Sequence, residues 1–298
     1  MKIFDCFMYF DEEVVLDVRL NTLDKYVDYF VIVESSFTHK GDNKNLMFNH
    51  NKFEKFKNKI IYLVYDKQPK GIEVVNENDS EGEKSRKYIL NAALRENGQR
   101  NFIQNGLNKA EDNDIILISD VDEIPNLSEV NFNNISEKII MFHQDMFYYK
   151  FDLKIPNLLW TGTKGCRKKY LLSPQWLRNV KDRKYFPFRI DILFSEKKYS
   201  SVKFISNGGW HFSNVKSPKD IEKKLFNFGH HNEVEESGID LEKIKEMVKE
   251  KKVYYDHLVD KTQQKHRREG YELKKLDFSE LPSYLTKNFE TYKKWFDN

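Results

Sequence analysis

The sequence predicts an α/β protein whose central mixed, mainly parallel sheet is flanked by helices, with a helical C-terminal extension. Three observations indicate this fold. Up to residue 118, apolar runs typical of buried strands alternate with longer segments of helical periodicity. After Pro125 the apolar runs become short and are separated by aromatic segments, and from residue 218 onwards the chain is charged and helical in pattern. Alternating strands and helices pair in parallel through crossovers, whereas the short later runs favour an antiparallel addition to the sheet.

Four apolar runs in the first part of the chain are predicted strands, over residues 2–8, 28–34, 59–65 and 115–118. Helical spacing of apolar residues predicts helices over 12–26, 48–56 and 83–107. Short strands are then expected at 138–142, 147–151, 170–172 and 202–206, and helices over 218–252, with a break at Gly238, and over 281–296. We expect a catalytic domain over 1–215 and an extension packed on it over 216–298.

Two carboxylates follow the fourth predicted strand, in the tripeptide Asp120-Val121-Asp122. Ligands of open α/β sheets bind beyond the carboxyl ends of the strands, so these side chains are expected where a substrate would lie. Residues i and i+2 of an extended segment point to the same side, which lets both aspartates share one hard divalent cation. A turn that only accepts backbone N–H groups is the alternative. Asp122 is predicted to be exposed and to contribute little to the core.

Two further segments carry candidate ligand-binding residues. Segment 34–41 follows the second strand at the same sheet edge, where its hydroxyls and Lys40 would contact a nucleotide, although an ordinary polar connection explains it equally well. Segment 207–213 places His211 beside Trp210 after two glycines, which let a ligand approach the backbone closely. An imidazole can complete a metal shell begun by two carboxylates, although a lone histidine is more often structural.

Composition narrows the classes of partner. The 298 residues carry 50 basic and 47 acidic side chains, and a net charge of +3 does not favour nucleic acid as a partner. The two cysteines, Cys6 and Cys166, indicate neither a disulfide framework nor a metal knuckle. No apolar run reaches the roughly 18 residues that a transmembrane helix needs. We therefore expect no transmembrane segment and a cytoplasmic location.

Five blocks of the sequence occur in a distinctive order: KIFDCFMYFDE, VIVESSFTHKG, GQRNFI, ISDVDEIP and GGWHFS. Together they span roughly residues 1–215, and in this order they resemble the family 17 glycosyltransferases. The resemblance implies a GT-A-like fold, a nucleotide-sugar donor with UDP-N-acetylglucosamine favoured, and a glycan acceptor. It also implies a divalent metal, Mn²⁺ or Mg²⁺, and inversion of configuration to give a β-linkage.

Carried over residue by residue, the resemblance assigns roles around the strand end. It places Asp120 and Asp122 on the metal and the donor diphosphate, with His211 as a further metal ligand. The residues expected on the donor side, in addition to Asp120, are Glu34, Ser35, Thr38, Lys40, Arg86 and Arg100.

The acceptor side is predicted from residue chemistry. In a single in-line displacement, a carboxylate that is free of the metal removes the proton of the acceptor hydroxyl. The candidate bases are Glu123, Asp145 and Asp191. The candidate acceptor-binding residues are Trp160 and Trp210, as stacking platforms for a sugar, and Arg189. A structural role is the alternative for each of them.

Two other functional classes use the same residue types. A non-catalytic carbohydrate-binding protein would stack sugars on its aromatic side chains and hold calcium at the Asp pair. A metal-dependent phosphatase or nucleotidyltransferase would also place Asp-x-Asp at a strand end. The dehalogenase-type phosphatases carry their nucleophilic Asp after the first strand, whereas here the motif follows several strand and helix units.

Overall fold

The first part of the chain forms four parallel strands with helices on both faces. The computed structural model describes residues 1–227, 239–255 and 266–297. The strands are β1 (Ile3–Tyr9), β2 (Tyr29–Ser35), β3 (Ile60–Tyr65) and β4 (Ile115–Asp120), in the order β3-β2-β1-β4. Helices α1 (Glu13–Leu23) and α2 (Glu81–Phe102) connect them. Each of the four strands begins and ends within two residues of its prediction.

Both faces of these strands are buried, which explains their continuous apolar runs. Phe7, Phe30 and Leu117 pack with α1 residues in one core cluster. Cys6 and Val31 face the other way, into a cluster with residues at the end of α2. The helix predicted over 48–56 is wrong except for one 3-10 turn, Glu54–Phe56.

The second part of the sheet is mixed, as predicted, but its strands are longer than expected. It contains β5 (Glu123–Pro125), β6 (Ile139–Tyr148), β7 (Leu153–Arg167), β8 (Val202–Ile205), β9 (Gly209–Ser213) and β12 (Lys274–Lys275). Strand β7 pairs antiparallel with β4 and β6, while β8 and β9 lie parallel to β6. The ten-stranded mixed sheet, flanked by helices, is consistent with a GT-A-like domain.

Three predictions in this region are corrected. The two short strands at 138–142 and 147–151 are largely one strand, β6, and the strand at 170–172 is replaced by a 3-10 turn, Lys168–Tyr170. Strand β7, which contains Pro156, Gly162 and Gly165, was not predicted. A Cβ on Gly162 would lie 1.7 Å from the Gln144 side chain, so close packing, rather than a turn, requires glycine there.

The C-terminal region contains helices and a small second sheet. After α3 (Pro174–Asn179) and α4 (Ile190–Leu193), the chain forms α5 (Pro218–Asn227) and α6 (Leu241–Glu250), and the predicted break at Gly238 lies outside the described residues. Strands β10 (Lys252–Tyr255) and β11 (His266–Glu272) pair antiparallel and were not predicted, and α7 (Ser283–Lys287) and α8 (Phe289–Tyr292) follow. Ile221 and Ile244 pack with Met146 of β6. The division at residue 215 stays a prediction.

Within the described ranges, no helix has both the length and the apolar character to cross a membrane.

Candidate active site

A cleft lies where β1, β2 and β4 end, as expected for a parallel sheet. This strand-end cleft has a volume of about 190 Å³. Its walls come from the ends of the three strands, the loop after β2, helix α2, strand β9 and helix α5. The charged and polar side chains on the walls include Glu12, His39, Glu96, Arg100, Asp120, Asp122, His211 and Lys224.

Asp120 lies between two arginines. Arg100 Nη2 donates to its Oδ1 at 3.0 Å, and Arg178 Nη2 donates to its Oδ2 at 3.1 Å. Partial burial alone would raise the pKa of Asp120, but the two guanidinium groups outweigh it and hold that pKa well below its usual range. Asp120 is therefore a carboxylate at every physiological pH. Its side chain is 39% exposed, so it can still meet a ligand in the cleft.

Asp122 is buried, and the prediction that it is exposed is wrong. Its Oδ1 lies 3.4 Å from His211 Nε2, and its Oδ2 lies 3.8 Å from Lys224 Nζ. Burial raises the pKa of Asp122, but the charges of His211 and Lys224 outweigh this and lower it. The same contact acts on the imidazole: burial lowers the pKa of His211, yet the surrounding carboxylates, Asp122 first, raise it overall. The two aspartates thus have different neighbours: Asp120, at the end of β4, faces two arginines, whereas Asp122, in the turn before β5, faces His211 and Lys224.

Glu123 is fully buried beneath the cleft. Its carboxylate accepts hydrogen bonds from Trp160 Nε1 at 2.8 Å, from both terminal nitrogens of Arg178, and from the backbone N–H of Asp120 at 2.9 Å. All of its acceptor positions are occupied by the protein. Glu123 holds Arg178 and the turn after β4 in place. A base must reach the acceptor hydroxyl, and the full burial of Glu123 argues against that predicted role.

Arg19 fixes the backbone of the same turn from below. This fully buried side chain pairs with Asp5 at 2.6 Å, and its Nη1 donates to the carbonyls of Asp120, Val121 and Glu123 at 2.8–3.1 Å. A guanidinium group has five N–H donors in a fixed plane, which suits it to collecting several carbonyls. The position of both aspartates therefore depends on a residue of α1.

The residues present are suited to a divalent metal. Asp122 and His211 supply a carboxylate oxygen and an imidazole nitrogen, which are ligand types that Mn²⁺ accepts. The buried Nδ1 of His211 has no hydrogen-bond partner among the described residues. No group of three or more His, Cys, Asp or Glu side chains in the described part of the chain is arranged to hold a metal. Ions of the Mg²⁺ type commonly take only one or two carboxylates and complete their shell with water and substrate phosphates.

Some of the predicted donor-side residues line the strand-end cleft and others do not. Ser35, Thr38 and Arg100 line the strand-end cleft. Glu34 is fully buried, where it accepts hydrogen bonds from Lys44 Nζ, from Tyr62 Oη and from the backbone N–H groups of Met47 and Phe48.

Lys40 and Arg86 are not on the walls of the cleft. Lys40 is exposed, and its backbone carbonyl accepts a hydrogen bond from Arg95 Nη1. The Arg86 guanidinium pairs with Glu73 at 2.6 Å on the surface. Both side chains therefore lie outside the strand-end cleft, and their donor-binding roles stay predictions.

Trp160 and Trp210 lie on opposite sides of the sheet. The Trp160 ring is 5.5 Å from His211, on the side of the strand-end cleft. Trp210 precedes His211 in β9 and points to the other face. It lines a second cavity, of about 580 Å³, together with Asp145 and the segment 279–283. We call this second space the back cavity. Trp210, a predicted acceptor-binding residue, and Asp145, a candidate base, therefore lie away from the strand-end cleft, and their roles stay predictions.

Arg189 and Asp191 pair with each other at 2.9 Å in an exposed segment. Lys198 also contacts Asp191, at 2.7 Å. These contacts are local in sequence and involve no residue of the strand-end cleft. Both residues therefore lie outside the strand-end cleft, and their catalytic and acceptor-binding roles stay predictions.

Four residues at the cleft or beneath it were not among the predicted site residues: Glu12, Arg19, Arg178 and Lys224. Arg178 belongs to a basic stretch, 178–184, for which the sequence allows phosphate binding but favours an exposed surface. Arg178 is 58 residues away from Asp120 in the chain, so no local pattern connects them. Lys224 belongs to the charged C-terminal region, where a lysine is expected to be exposed to solvent. The sequence contains one weak indication for Glu12: it is the last residue of the block KIFDCFMYFDE, which begins with the first strand.

Comparison with known proteins gives two findings. The family described as Glycosyltransferase family 17 matches residues 1–296. The human and rat proteins described as beta-1,4-mannosyl-glycoprotein 4-beta-N-acetylglucosaminyltransferase are each 26% identical over 226 residues, and the mouse protein of that description is 25% identical. Each match covers 71% of this chain and 40% of the relative. The matched region thus spans two fifths of the length of these relatives.

Proposed function

The chain belongs to glycosyltransferase family 17, as its ordered sequence blocks predicted, and from this premise we propose that it is a metal-dependent inverting glycosyltransferase. The proposed reaction moves a sugar, N-acetylglucosamine by preference, from a UDP-sugar to a hydroxyl of a glycan in β-linkage. One observation carries the proposal: two ionised aspartates and several cations meet in a cleft at the ends of three parallel strands.

The chemistry of the cleft walls supports binding of a nucleoside diphosphate. Ser35, Thr38 and His39 offer polar contacts for the ribose and the base, and Phe37 adds an aromatic ring. Arg100 and Lys224 bring positive charge to the region of Asp120 and Asp122. Cations fixed at the place where a leaving group gains negative charge stabilise the transition state without reorganisation.

Asp122 and His211, with Asp120 beside them, are the residues that would hold the metal. The metal's chemistry, when bound, is to offset the negative charge on the departing nucleoside diphosphate. Arg19, Glu123 and Arg178 would then act as positioning residues, because they fix the turn and the carboxylate of Asp120 rather than touch the substrate.

Glu12 is our candidate for the base that takes the proton of the acceptor hydroxyl. It lines the cleft, and burial raises its pKa despite the nearby charge of Lys224. A raised pKa makes a carboxylate a stronger base, closer to the operating pH that general base catalysis favours. Its Oε2 accepts backbone N–H groups of Phe10 and Asp11, so the carboxylate is held in one orientation.

The direct test is a panel of nucleotide sugars incubated with the purified chain, with and without Mn²⁺ and with a glycan acceptor, while released nucleoside diphosphate is measured. We expect Mn²⁺-dependent release from one UDP-sugar and transfer of its sugar to the acceptor. Sugar binding without any affinity for nucleotides would instead support the carbohydrate-binding alternative. Release of inorganic phosphate, with a phosphorylated Asp120, would support the phosphatase alternative.

The cytoplasmic location stays a proposal. Its basis is the pair of free cysteines, Cys6 and Cys166, both of which are buried. Fractionation of the source cells tests it.

A further inference from the structure

An exposed loop with an unusual composition follows helix α3. We call residues 185–198 the aromatic loop. Its base is closed by two backbone hydrogen bonds, from Lys181 N–H to the Lys197 carbonyl at 2.8 Å and from Tyr185 N–H to the Tyr199 carbonyl at 3.0 Å. Trp176 Nε1 also donates to the carbonyl of Glu196 at 2.7 Å. The loop is therefore held to the domain at its base.

Large apolar side chains of this loop face the solvent. Phe186 and Phe188 are 71% and 87% exposed, and their rings are 6.2 Å apart. Ile190 and Phe194 are 72% and 86% exposed. Single exposed apolar residues are ordinary on a protein surface, but several together in one segment mark an interaction site. The loop thus presents an apolar surface that nothing in the described structure covers.

Positive charge surrounds these apolar side chains. Between residues 181 and 198 the chain carries six basic and three acidic residues, so this short segment has the same net charge, +3, as the entire chain. Lys181, Arg183 and Lys184 are exposed just before the apolar side chains, and Lys197 is exposed after them. The carboxylate of Asp191, in the middle of the loop, is already neutralised by Arg189 and Lys198.

We propose that the aromatic loop binds the surface of a bilayer that contains anionic phospholipid. The exposed Phe and Ile side chains would enter the boundary between headgroups and acyl chains, while the basic side chains contact lipid phosphates. Four exposed basic residues, Lys181, Arg183, Lys184 and Lys197, flank the exposed apolar side chains along the chain, and a basic cluster of this size is attracted to anionic lipid. This combination of exposed apolar side chains with flanking positive charge favours a lipid surface over a protein partner or a second copy of the chain.

The loop begins close to the proposed active site. Arg178, which holds Asp120 and Glu123, lies three residues before Lys181, and Asp182 accepts a hydrogen bond from Thr161 of β7. If the proposed function holds, a bound bilayer would lie near the cleft and would favour acceptors that are anchored in lipid. Membrane binding itself requires neither donor nor metal, so it can be tested independently of the proposed function.

The test is sedimentation of the full chain with vesicles of phosphatidylcholine alone or of phosphatidylcholine mixed with phosphatidylglycerol. We expect binding to the anionic vesicles that weakens as salt is added, because salt screens the contacts of the basic residues. The triple variant Phe186→Ser, Phe188→Ser, Phe194→Ser should bind these vesicles about tenfold or more weakly, because it removes most of the exposed apolar surface.

Val74→Ser is the matched control, since Val74 is 73% exposed but lies far from the loop in sequence. This variant should bind vesicles as the wild type does, and thermal unfolding should show that every variant is folded. The proposal is overturned if the wild type does not bind anionic vesicles, or if the triple variant binds them equally well. Dimers of the wild type that dissociate in the triple variant, without vesicle binding, would assign the loop to a second copy of the chain instead.

Discussion

The strand-end cleft and the back cavity lie on opposite sides of strand β9, and adjacent residues of β9 line them. His211 of β9 faces the cleft, where its imidazole contacts Asp122. Trp210 faces the back cavity, where its Nε1 donates to the carbonyl of Glu280 at 2.7 Å. The back cavity is the larger, at about 580 Å³ against about 190 Å³.

The two spaces also differ in charge, and this difference bears more directly on the chemistry than the difference in size. In the cleft, Asp120 and Asp122 have lowered pKa values because four cationic groups converge on them, from α2, α3, β9 and α5. In the back cavity, Asp145 pairs with one lysine, Lys154, at 2.7 Å. A concentration of opposed charges in a cleft is the arrangement expected of a catalytic site. The smaller space is therefore the one to which we assign the chemistry.

Of the variants that compare the two spaces, Asp122→Asn should have the largest effect, and it acts on turnover. The amide keeps the size of the side chain but removes its charge, so we expect turnover to fall by about 10²- to 10³-fold, as when one electrostatic group of an active site is lost. Nucleoside diphosphate release under saturating donor is the measurement. The matched control is Asp145→Asn, which makes the same chemical change in the back cavity. Equal losses in both variants would remove the distinction between the two spaces.

Arg178→Ala should have the next largest effect, on the free energy of unfolding. The change leaves the buried carboxylate of Glu123 without its main cationic partner, and loss of one partner of a buried ion pair costs about 3–5 kcal/mol. Urea denaturation measures it. Arg189→Ala breaks an exposed ion pair and should leave the free energy of unfolding almost unchanged. A loss for Arg178→Ala as small as that of Arg189→Ala would contradict the positioning role.

Glu12→Gln separates catalysis from binding inside the cleft. If Glu12 is the base, kcat should fall by about 10²-fold while the affinity for donor changes little, because general base catalysis contributes at least that factor. Steady-state kinetics and donor titration give the two quantities. A rise in KM for donor at unchanged kcat would assign Glu12 to donor binding instead.

Two tryptophan variants, one on the cleft side of the sheet and one in the back cavity, have the smallest expected effects. Both are measured as changes in the free energy of unfolding. Trp160→Phe removes a hydrogen bond to the charged Glu123, so unfolding free energy should fall by about 1.5–3 kcal/mol. Trp210→Phe removes a hydrogen bond to a neutral carbonyl and should cost about 0.5–1.5 kcal/mol. Thermal or urea unfolding distinguishes them, and the donor affinity of Trp210→Phe should equal that of the wild type. A larger loss of donor affinity for Trp210→Phe than for Trp160→Phe would reverse the assignment of sides.

The sequence predicted the features that depend on local pattern. The four parallel strands and the position of Asp120 and Asp122 at a strand end follow from apolar runs and from the rule that ligands bind beyond strand ends. Arg100, by contrast, was placed on the donor side by the family resemblance, and it does line the cleft beside Asp120.

The contacts that complete the site are long-range, and a local pattern does not contain them. Arg19 reaches the Asp120 carbonyl across 101 residues, and Lys224 comes from the helix α5. Conversely, Arg189 and Asp191 carry suitable chemistry but find each other two residues apart. The residue type alone therefore does not predict which side chains meet, because that depends on how the chain folds.

The central claim is that the strand-end cleft binds the nucleoside diphosphate of the donor with a divalent metal. Calorimetric titration of UDP into the wild type, Asp122→Asn and Trp210→Phe, each with and without Mn²⁺, tests it most directly. We predict Mn²⁺-dependent binding to the wild type and Trp210→Phe with equal affinity, and its loss in Asp122→Asn. Binding that is unchanged in Asp122→Asn, or that is lost in Trp210→Phe alone, would contradict the claim.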